Sequence, residues 1–480
     1  MWLLAAVLGN AQTKPASVPS LPPLVPAGSQ AQAPRGELLP SERYRLHVDL
    51  PAVTHDLGAV QVPAPSRTIP LQVGINRRVS LSPVAGGRRF RNPDGTQTTV
   101  FAIKSPGAVG VRVHFDRFKI PAGDEVYVRG LNAKRSSGGP YRENGTWNDG
   151  QFWSATVEGD TAVIEYQSRS GEGTFIVSEI AHIYRNVDAG MFTPDVLSCE
   201  VDASCSSVGP KNAVARIVFV DDGGGSYVCT GTLLNNSAGD RIPYFLTAAH
   251  CVSSQSEARS VESYWLYQTT SCNSNSLRGD GVTTSQGGDL LATSSANDST
   301  LIRLVDSAPS GVGFAGWSST AQAVNTSVFG LHHPGGSSPP SLQSYLRRSI
   351  GSVATTTSSC SASGLTNGYE INWSSGTTEP GSSGSGLFIT SGSITYLVGA
   401  LSCGSSTGAC AGSYDFYGKF SSFYPQVASY LSPGPAVAPG GGYPGFNTAL
   451  GDNALKVNDN TQGQFNTAIG FNALQANTTG

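Results

Sequence analysis

Three residues that lie far apart in the sequence have the types that catalysis by a nucleophilic serine requires: His250, Asp298 and Ser383. A serine hydroxyl is a poor nucleophile at neutral pH unless a base takes its proton, and an imidazole can do so. The imidazole in turn needs a carboxylate that fixes its tautomer and stabilises its charged form. The sequence therefore predicts a catalytic triad of these three side chains.

The residues around Ser383 favour a catalytic role over a place in a flexible Gly/Ser-rich loop, of which the chain has others. Gly381 and Gly384 allow the backbone to turn sharply. The amides of Gly381 and Ser383 would then face one point and form an oxyanion hole, in which one donor contributes on the order of 3 kcal/mol to transition-state stabilisation. A Gly-x-Ser-x-Gly frame does not fit around Ser383, which argues against a lipase-type elbow.

Strand-like segments adjoin the other two residues and predict how they are positioned. His250 follows the apolar run 244–247, and Asp298 precedes residues 300–304, in which apolar and polar residues alternate. Such alternation is typical of a half-buried strand, so both residues are expected at strand ends. A satisfied core histidine and a turn aspartate are the alternatives for these two positions.

Composition indicates a secreted all-β protein. The chain has 480 residues, enough for two or three domains, with 13% charged residues and 58 glycines. Such a mix is typical of turn-rich β-structure. The net charge of −3 implies neither a nucleic-acid partner nor an anionic membrane surface. Because no run of 18 apolar residues occurs, no membrane span is expected.

Six segments differ in composition: residues 1–11, 12–40, 41–195, 196–432, 433–443 and 444–480. The first resembles the apolar end of a signal peptide without its positive start, and the second and fifth have the Pro-rich or Pro/Gly-rich composition of linkers. Runs of period-two alternation predict a β-sandwich in the third. The fourth has short predicted strands and ends in a predicted helix over 420–431, with Pro425 in its first turn.

The last segment repeats itself, because residues 446–455 return nineteen positions later as residues 465–474. Short repeats of this composition predict a β-roll or solenoid, but two copies bury little core on their own. They resemble the head repeats of bacterial trimeric adhesins and phage tail-fibre proteins, which implies a homotrimer. A disordered tail is the alternative.

All eight cysteines lie between Cys199 and Cys410. An even number confined to one segment indicates disulfides formed in an oxidising compartment. Their spacing lacks the paired pattern of a zinc site, so neither a metal nor an organic cofactor is expected. His332 and His333 precede a proline in a predicted loop, and we expect a structural role for both.

Several stretches of the fourth segment together resemble the secreted bacterial lysyl endopeptidases, a family of chymotrypsin-like serine proteases. The matching stretches are residues 198–205, 229–236, 244–251, 332–334 and 378–385. The order His, Asp, Ser along the chain is that of the chymotrypsin type and differs from that of α/β-hydrolases and subtilisins. The resemblance implies a double β-barrel with the triad in the cleft between the barrels.

The resemblance also implies a disulfide framework and a precursor. Pairing as in the family, with the two remaining cysteines paired to each other, gives Cys199–Cys410, Cys205–Cys272, Cys229–Cys251 and Cys360–Cys403, one of 105 connectivities. Residues 41–195 would be a propeptide that assists folding and covers the cleft. Digestive enzymes of animals carry an aspartate before the nucleophile that pairs with a new N-terminus. Here Ser382 stands there, so activation by that route is not expected.

Specificity for a basic residue depends on Asp415, which matches the family's aspartate at the base of the primary specificity pocket. A buried carboxylate needs a cation, and a substrate lysine would supply it. A surface turn is the alternative for this aspartate. The family's lysine enzymes also place a His and a Trp beside the triad. Here Ser402 occupies the first position and no Trp matches the second, which leaves lysine and arginine both open.

Maturation bears on the same question, because no lysine occurs between Lys134 and Lys211, and Arg185 is the basic residue nearest before Cys199. Either arginine is accepted or another protease removes the propeptide. The sequence thus predicts a secreted serine endopeptidase that cuts protein or peptide substrates after basic residues through an acyl-enzyme. The alternative is a catalytically silent, protease-like scaffold in a surface protein of the adhesin type.

Overall fold

The computed structural model describes residues 16–23, 46–53, 70–131, 137–169, 171–184, 197–207, 209–274, 276–284, 286–335, 345–404 and 412–433, and four short strands between 448 and 477. Strands are the main regular secondary structure of these ranges, as the composition predicts. Their α-helices are α1 (Pro83–Gly86), α2 (Gln255–Ser260) and α3 (Phe420–Leu431), with 3-10 turns at Ala203–Cys205 and Gly209–Ala213. None of these helices is long and apolar enough to span a bilayer.

The predicted β-sandwich occupies residues 46–184, called the N-terminal sandwich below. The strands up to this point are β1 (Ser17–Val18), β2 (Leu46–Asp49), β3 (Leu71–Leu81), β4 (Arg88–Arg91), β5 (Gln97–Lys104), β6 (Gly110–Lys119), β7 (Glu125–Gly130), β8 (Ser137–Tyr141), β9 (Phe152–Trp153), β10 (Val157–Glu158), β11 (Thr161–Ser168) and β12 (Thr174–Ile183). One sheet has the order β2-β5-β11-β7-β8, and the other contains β10-β6-β12-β3.

Apolar side chains from both sheets form the core of the N-terminal sandwich. The rings of four phenylalanines are in contact at its centre in edge, tilted or stacked pairs, with centroids 5.0 to 5.5 Å apart: Phe115, Phe118, Phe152 and Phe175. Burying rings of this size dominates the energetics of such a core. Both β6 and β11, whose sequences alternate with period two, contribute to this core, and both are buried along most of their length rather than on one face only.

The residues that follow, 197–427, are called the barrel region. The strands of the chain from here to α3 are β13 (Val201–Asp202), β14 (Val214–Val220), β15 (Gly225–Leu234), β16 (Tyr244–Thr247), β17 (Glu262–Trp265), β18 (Val282–Thr284), β19 (Gly288–Ser294), β20 (Ser299–Leu304), β21 (Trp317–Ser318), β22 (Ser327–His332), β23 (Arg347–Cys360), β24 (Leu365–Ser375), β25 (Gly386–Ser391), β26 (Ile394–Gly404) and β27 (Tyr414–Lys419).

The strands of the barrel region pair to form two barrels. The second is closed, because β22, β23, β24, β27, β26 and β25 pair in a ring. The first is a half-barrel with the order β18-β17-β14-β15-β16-β20-β19. The fold is thus the predicted double barrel of the chymotrypsin type, with one barrel left partly open.

The N-terminal sandwich and the half-barrel share a sheet, which the sequence does not reveal. β3 pairs with β12 on one edge and with the first half of β15 on the other, where Leu71 lies opposite Val228. Beside this junction the buried Arg112 and Glu262 approach to 3.7 Å, and Glu262 accepts a hydrogen bond from the Thr156 amide. The predicted boundary at residue 195 lies outside the described residues.

Residues 16–23 fall within the predicted linker 12–40 yet are ordered against the barrel region. Ser17 and Val18 of β1 pair with Ser318 and Trp317 of β21, and Val18 is 3% exposed. Composition alone cannot show this, since a Pro-rich stretch without periodicity is also typical of a flexible linker.

The predicted helix over 420–431 is present as α3, but Pro425 is misplaced in the prediction. The helix begins at Phe420, so Pro425 lies in its interior rather than in the first turn. A proline there cannot donate the hydrogen bond to the carbonyl of residue 421, which costs helix stability.

The C-terminal repeats pair in register with the period seen in the sequence. Strands β28 (Thr448–Leu450) and β30 (Thr467–Ile469) are parallel, and so are β29 (Val457–Asn458) and β31 (Ala476–Asn477). Each residue lies opposite the residue nineteen positions later, as in successive coils of the predicted β-roll.

Candidate active site

Two paired strands bring His250 and Asp298 together. β16 ends at Thr247 and β20 begins just after Asp298, and the antiparallel pairing places Thr247 opposite Thr300. Residues that follow the end of one strand therefore lie beside the residue that precedes the other. The result is a hydrogen bond of 2.7 Å between His250 Nδ1 and Asp298 Oδ2.

Asp298 accepts three hydrogen bonds in the interior. Its Oδ1 accepts from the backbone amide of His250 at 2.9 Å, and its Oδ2 accepts from the Ser402 hydroxyl at 2.6 Å as well as from the imidazole. The side chain is fully buried, and its backbone φ of +48° is one that aspartate tolerates better than most residues. Because Nδ1 faces the carboxylate, the neutral imidazole carries its proton there, and Nε2 keeps a lone pair.

Gly384 places Ser383 beside the same strand end. Its φ is +81°, and a Cβ atom on it would lie 2.3 Å from Thr247 Oγ1 and 2.5 Å from the Thr230 carbonyl oxygen. Only glycine allows so close an approach. The Thr230 amide donates to the Ser383 carbonyl at 2.8 Å, which fixes the loop between the two barrels.

Three polar groups of the candidate site have no hydrogen-bond partner among the described residues. His250 Nε2 makes no hydrogen bond there, and its side chain is 10% exposed. The backbone amides of Gly381 and Ser383 likewise donate to no described residue. A lone pair and two amide donors are the groups that a serine hydroxyl and a carbonyl oxygen require, and such hydrogen bonds often tighten only when substrate is bound.

His332 supports the loop that carries Ser383. Its Nδ1 lies 2.9 Å from Ser382 Oγ and its Nε2 lies 3.0 Å from Ser349 Oγ, with the ring fully buried. The Glu379 amide in turn donates to Ser382 Oγ at 3.2 Å. The residue in the position before the nucleophile thus interacts with a histidine and a backbone amide.

Asp415 lies on β27 in the closed barrel and is fully buried, in contrast to the surface-turn alternative. Its Oδ2 accepts from the Thr378 hydroxyl at 2.8 Å and from the indole N–H of Trp373. Thr378 is five residues before Ser383, so the carboxylate is tied to the loop of the nucleophile. Burial, with the charge of Asp415 adding to it, raises the pKa of the neighbouring Tyr417 well above its usual value.

Disulfides join Cys205 to Cys272, Cys229 to Cys251 and Cys360 to Cys403, the pairs expected for these six cysteines. The remaining expected pair, Cys199–Cys410, includes Cys410, which lies outside the described residues. The Cys229–Cys251 bond ties the residue after His250 to β15 and so restrains the histidine.

One cluster in the described chain brings potential metal ligands together, namely Cys229, His250 and Cys251, whose ligand atoms lie within 4.8 Å of one another. The two sulfurs form a disulfide, and only a thiolate is a good metal ligand. The donor set therefore does not fit a metal ion.

Sequence reasoning missed the partners of the two buried carboxylates. Ser402 was noted only as a departure from the family, yet it donates to Asp298, and Ser363 Oγ lies 2.6 Å from Ser402 Oγ. Trp373 and Thr378 were not assigned to Asp415 at all. The single local signal for them was the position of Thr378 within the stretch that contains Ser383.

Comparisons with known proteins show the family of this chain. A family model described as lysyl endopeptidase, C-terminal domain, matches residues 194–418, and one described as lysyl endopeptidase N-terminal domain matches residues 49–172. With the double barrel and the site above, the class is that of a chymotrypsin-like serine endopeptidase.

A curated lysyl endopeptidase from Pseudomonas aeruginosa is 30% identical over 402 residues, which cover 77% of this chain and 83% of that protein. The chain belongs to the lysyl endopeptidase family. Among solved structures, the protease Anisep from Arthrobacter nicotinovorans is 16% identical with a TM-score of 0.34, and covers 49% of this chain and 100% of its own. A thermostable serine protease from an extremophilic microorganism is 15% identical with a TM-score of 0.33, and covers 47% and 99%.

Proposed function

We propose that the chain is a secreted serine endopeptidase that uses Ser383, His250 and Asp298 to hydrolyse peptide bonds after basic residues. The observation that carries this proposal is the buried Asp298 carboxylate, which holds the imidazole of His250 through Nδ1 at 2.7 Å. That contact leaves Nε2 available as the proton acceptor for Ser383.

The reaction follows from these positions. Ser383 Oγ attacks the substrate carbonyl carbon as its proton passes to His250 Nε2, and Asp298 stabilises the imidazolium. The amides of Gly381 and Ser383 stabilise the negative oxygen of the tetrahedral intermediate. When the intermediate collapses, the imidazolium protonates the leaving amine. Water then attacks the acyl-enzyme by the same route, which releases the acid and restores the serine.

Labelling with a fluorophosphonate tests the catalytic assignment. The wild-type protein is expected to react at one site, Ser383, and the Ser383→Ala variant is expected not to react. His250→Ala, which removes the base, is expected to label far more slowly than wild type. If a folded wild-type protein does not label, the scaffold alternative replaces the enzyme.

For the primary specificity we propose that Asp415 binds the substrate cation. Its support is the burial of the carboxylate and the two neutral donors, Trp373 and Thr378, that hold Oδ2. A positive charge brought by the substrate would offset the cost of burying this group. Lysine is the proposed residue before the cut. Arginine is also accepted in this proposal, because Ser402 stands where the family's lysine-specific enzymes have a histidine. Digestion of a peptide library gives the residue before each cut, and cuts unrelated to Lys or Arg would remove Asp415 from this role.

We further propose that residues 41–195 are a propeptide. Leu71 supports this role, because a Cβ atom on Gly335 would lie 2.2 Å from Leu71 Cδ2 and 2.6 Å from the Pro380 carbonyl oxygen. The N-terminal sandwich thus reaches the residues next to Gly381. Purified Ser383→Ala protein is expected to remain uncut, and adding wild-type enzyme is expected to cleave it. A cut in Ser383→Ala protein produced without the wild type would assign maturation to another protease.

The last part of the proposal concerns the repeats of residues 444–480, which we assign to assembly into a homotrimer. Its support is the in-register pairing of two nineteen-residue coils, too few to form an independent solenoid core. Light scattering of the full chain and of a chain ending at residue 433 tests it. The same number of subunits in both proteins would remove this part of the proposal.

A further inference from the structure

The N-terminal residues 16–23, called the arm, lie as an extended strand on the barrel region. Ser17 and Val18 pair antiparallel with Ser318 and Trp317, and Leu21 exchanges two backbone hydrogen bonds with Phe314, of 2.9 and 3.0 Å. The opposite edge of β21 pairs with β26 at Leu397. The arm therefore completes the hydrogen bonding of a strand that would otherwise be an edge.

Side chains of the barrel region hold the arm at both ends. Asn235 Nδ2 donates to the Pro19 carbonyl at 2.8 Å, and Arg241 Nη2 donates to the Pro22 carbonyl at 3.0 Å. Asn235 is 3% exposed, so this amide is covered where the arm crosses it. Both accepting carbonyls belong to prolines. Because a Pro-rich segment is already extended before it binds, its carbonyls are exposed and can accept such hydrogen bonds.

Two glycines keep the floor of the groove open. A Cβ atom on Gly316 would lie 2.4 Å from the Val18 carbonyl oxygen and 2.6 Å from the Ser20 amide nitrogen. The Gly316 amide itself donates to Ser20 Oγ at 2.8 Å. Gly313 is similarly close to the Leu21 carbonyl oxygen, at 3.1 Å from its Cβ position. Any other residue at 316 would push the arm away.

We propose that the arm is a docking peptide, that residues 313–319 with Asn235 and Arg241 form its groove, and that this groove keeps the N-terminus attached after the backbone is cut. The binding mode is strand addition, in which main-chain hydrogen bonds supply affinity and a pocket for one side chain supplies selectivity. Val18 is that side chain, because it is 3% exposed while Ser17 and Pro19 are exposed. The arm lies N-terminal to both matched family domains, and among the described residues no hydrogen bond joins it to His250, Asp298 or Ser383. A maturing chain would thus be held at the arm and, separately, at β3.

The test uses the full chain with a recognition sequence for a site-specific protease in place of residues 30–35, and with Ser383→Ala to prevent self-cleavage. After the cut, the N-terminal fragment is expected to co-elute with the rest of the protein on size exclusion. Val18→Asp, which would bury a charge, and Gly316→Ala, which fills the groove from the other side, are each expected to release it. Their apparent affinities for the fragment should fall by about tenfold or more.

Ser17→Asp is the matched control, because it adds the same charge one residue away on the exposed face of the arm. This variant is expected to retain the fragment. Separate elution of the parent fragment would overturn the proposal. Retention that neither Val18→Asp nor Gly316→Ala reduces would also overturn it, as would equal release by Ser17→Asp.

Discussion

Asp298 and Asp415 are both fully buried in the barrel region, and the kind of ring that donates to the carboxylate differs between them. Oδ2 of each accepts from a serine or threonine hydroxyl and from a ring N–H. At Asp298 the ring is His250, which can become a cation. At Asp415 the ring is the indole of Trp373, which cannot.

This difference separates two uses of a buried charge. A buried carboxylate is costly unless a cation compensates it. In the proposed mechanism, Asp298 receives that cation within the chain when His250 takes the serine proton. Trp373 and Thr378 orient the Asp415 carboxylate and are themselves uncharged, and under the proposed function the substrate brings a positive charge. Under the proposed function, the same local pattern serves catalysis at Asp298 and recognition at Asp415.

The largest expected effect comes from disrupting the hydrogen bond between Asp298 and His250. Asp298→Asn should lower kcat by about 10⁴-fold, since the amide no longer holds the imidazole with its proton on Nδ1. Steady-state hydrolysis of a lysyl peptide measures it. Asp289→Asn is the control, because Asp289 binds Arg303 at 2.8 Å in a partly exposed ion pair. A fall of equal size in the control would contradict the assignment.

Removing the charge of Asp415 should change substrate selectivity rather than the reactivity of Ser383. Asp415→Asn is expected to lower kcat/KM for lysyl substrates by about 100-fold or more, because the bound ammonium loses a buried counter-charge. Fluorophosphonate labelling of Ser383 should stay close to the wild-type rate, unlike in Asp298→Asn. Equal losses on lysyl and neutral substrates would show that Asp415 supports the fold and not recognition.

His114 in the N-terminal sandwich sharpens the comparison, because there the protein buries an ionisable group by keeping it neutral. Burial lowers the pKa of His114 from its usual 6.5 to about 4. The unfolded chain therefore binds more protons than the folded chain between these values, and stability is lost as pH falls from 6.5 to about 4. The loss from this group is on the order of 3 kcal/mol.

Denaturant unfolding of Ser383→Ala protein at pH 7 and pH 4.5 measures this effect against His114→Asn in the same background. The parent should lose more free energy of unfolding than the variant over this interval. The same loss in both proteins would mean that His114 titrates normally in the fold.

The smallest expected effect concerns the donor that sequence analysis missed. Ser402→Ala removes the 2.6 Å hydrogen bond to Asp298 and should lower kcat by about 10-fold, in line with a hydrogen bond to a charged group. Ser363→Ala is the control, since Ser363 contacts Ser402 and not the carboxylate. A larger effect of Ser363→Ala than of Ser402→Ala would contradict this ranking.

The double barrel was expected from the resemblance of several stretches to the lysyl endopeptidases, and local patterns indicated the residues of the proposed triad. His250 and Asp298 each adjoin a strand-like run, and Ser383 lies among glycines, so short windows identify them. Ser402 is 104 residues from Asp298, and no window joins the two.

Long-range strand pairing was the other feature that could not be predicted from the sequence. The pairing of β3 with β15 unites the N-terminal sandwich with the half-barrel, and the arm reaches β21 across about 300 residues. Both depend on edges that exist only once the sheets have formed. Their strands carry the same alternation or Pro-rich composition that an independent domain or a linker would show.

The most direct test is a crystal structure of the enzyme trapped by a peptidyl phosphonate with lysine at the position before the scissile bond. The account predicts phosphorus bonded to Ser383 Oγ, its oxygen on the amides of Gly381 and Ser383, and the lysine ammonium on Asp415. A lysine side chain bound away from Asp415 would contradict the role of Asp415 in recognition. An inhibitor attached elsewhere, with His250 still held by Asp298, would contradict the role of Asp298 in catalysis.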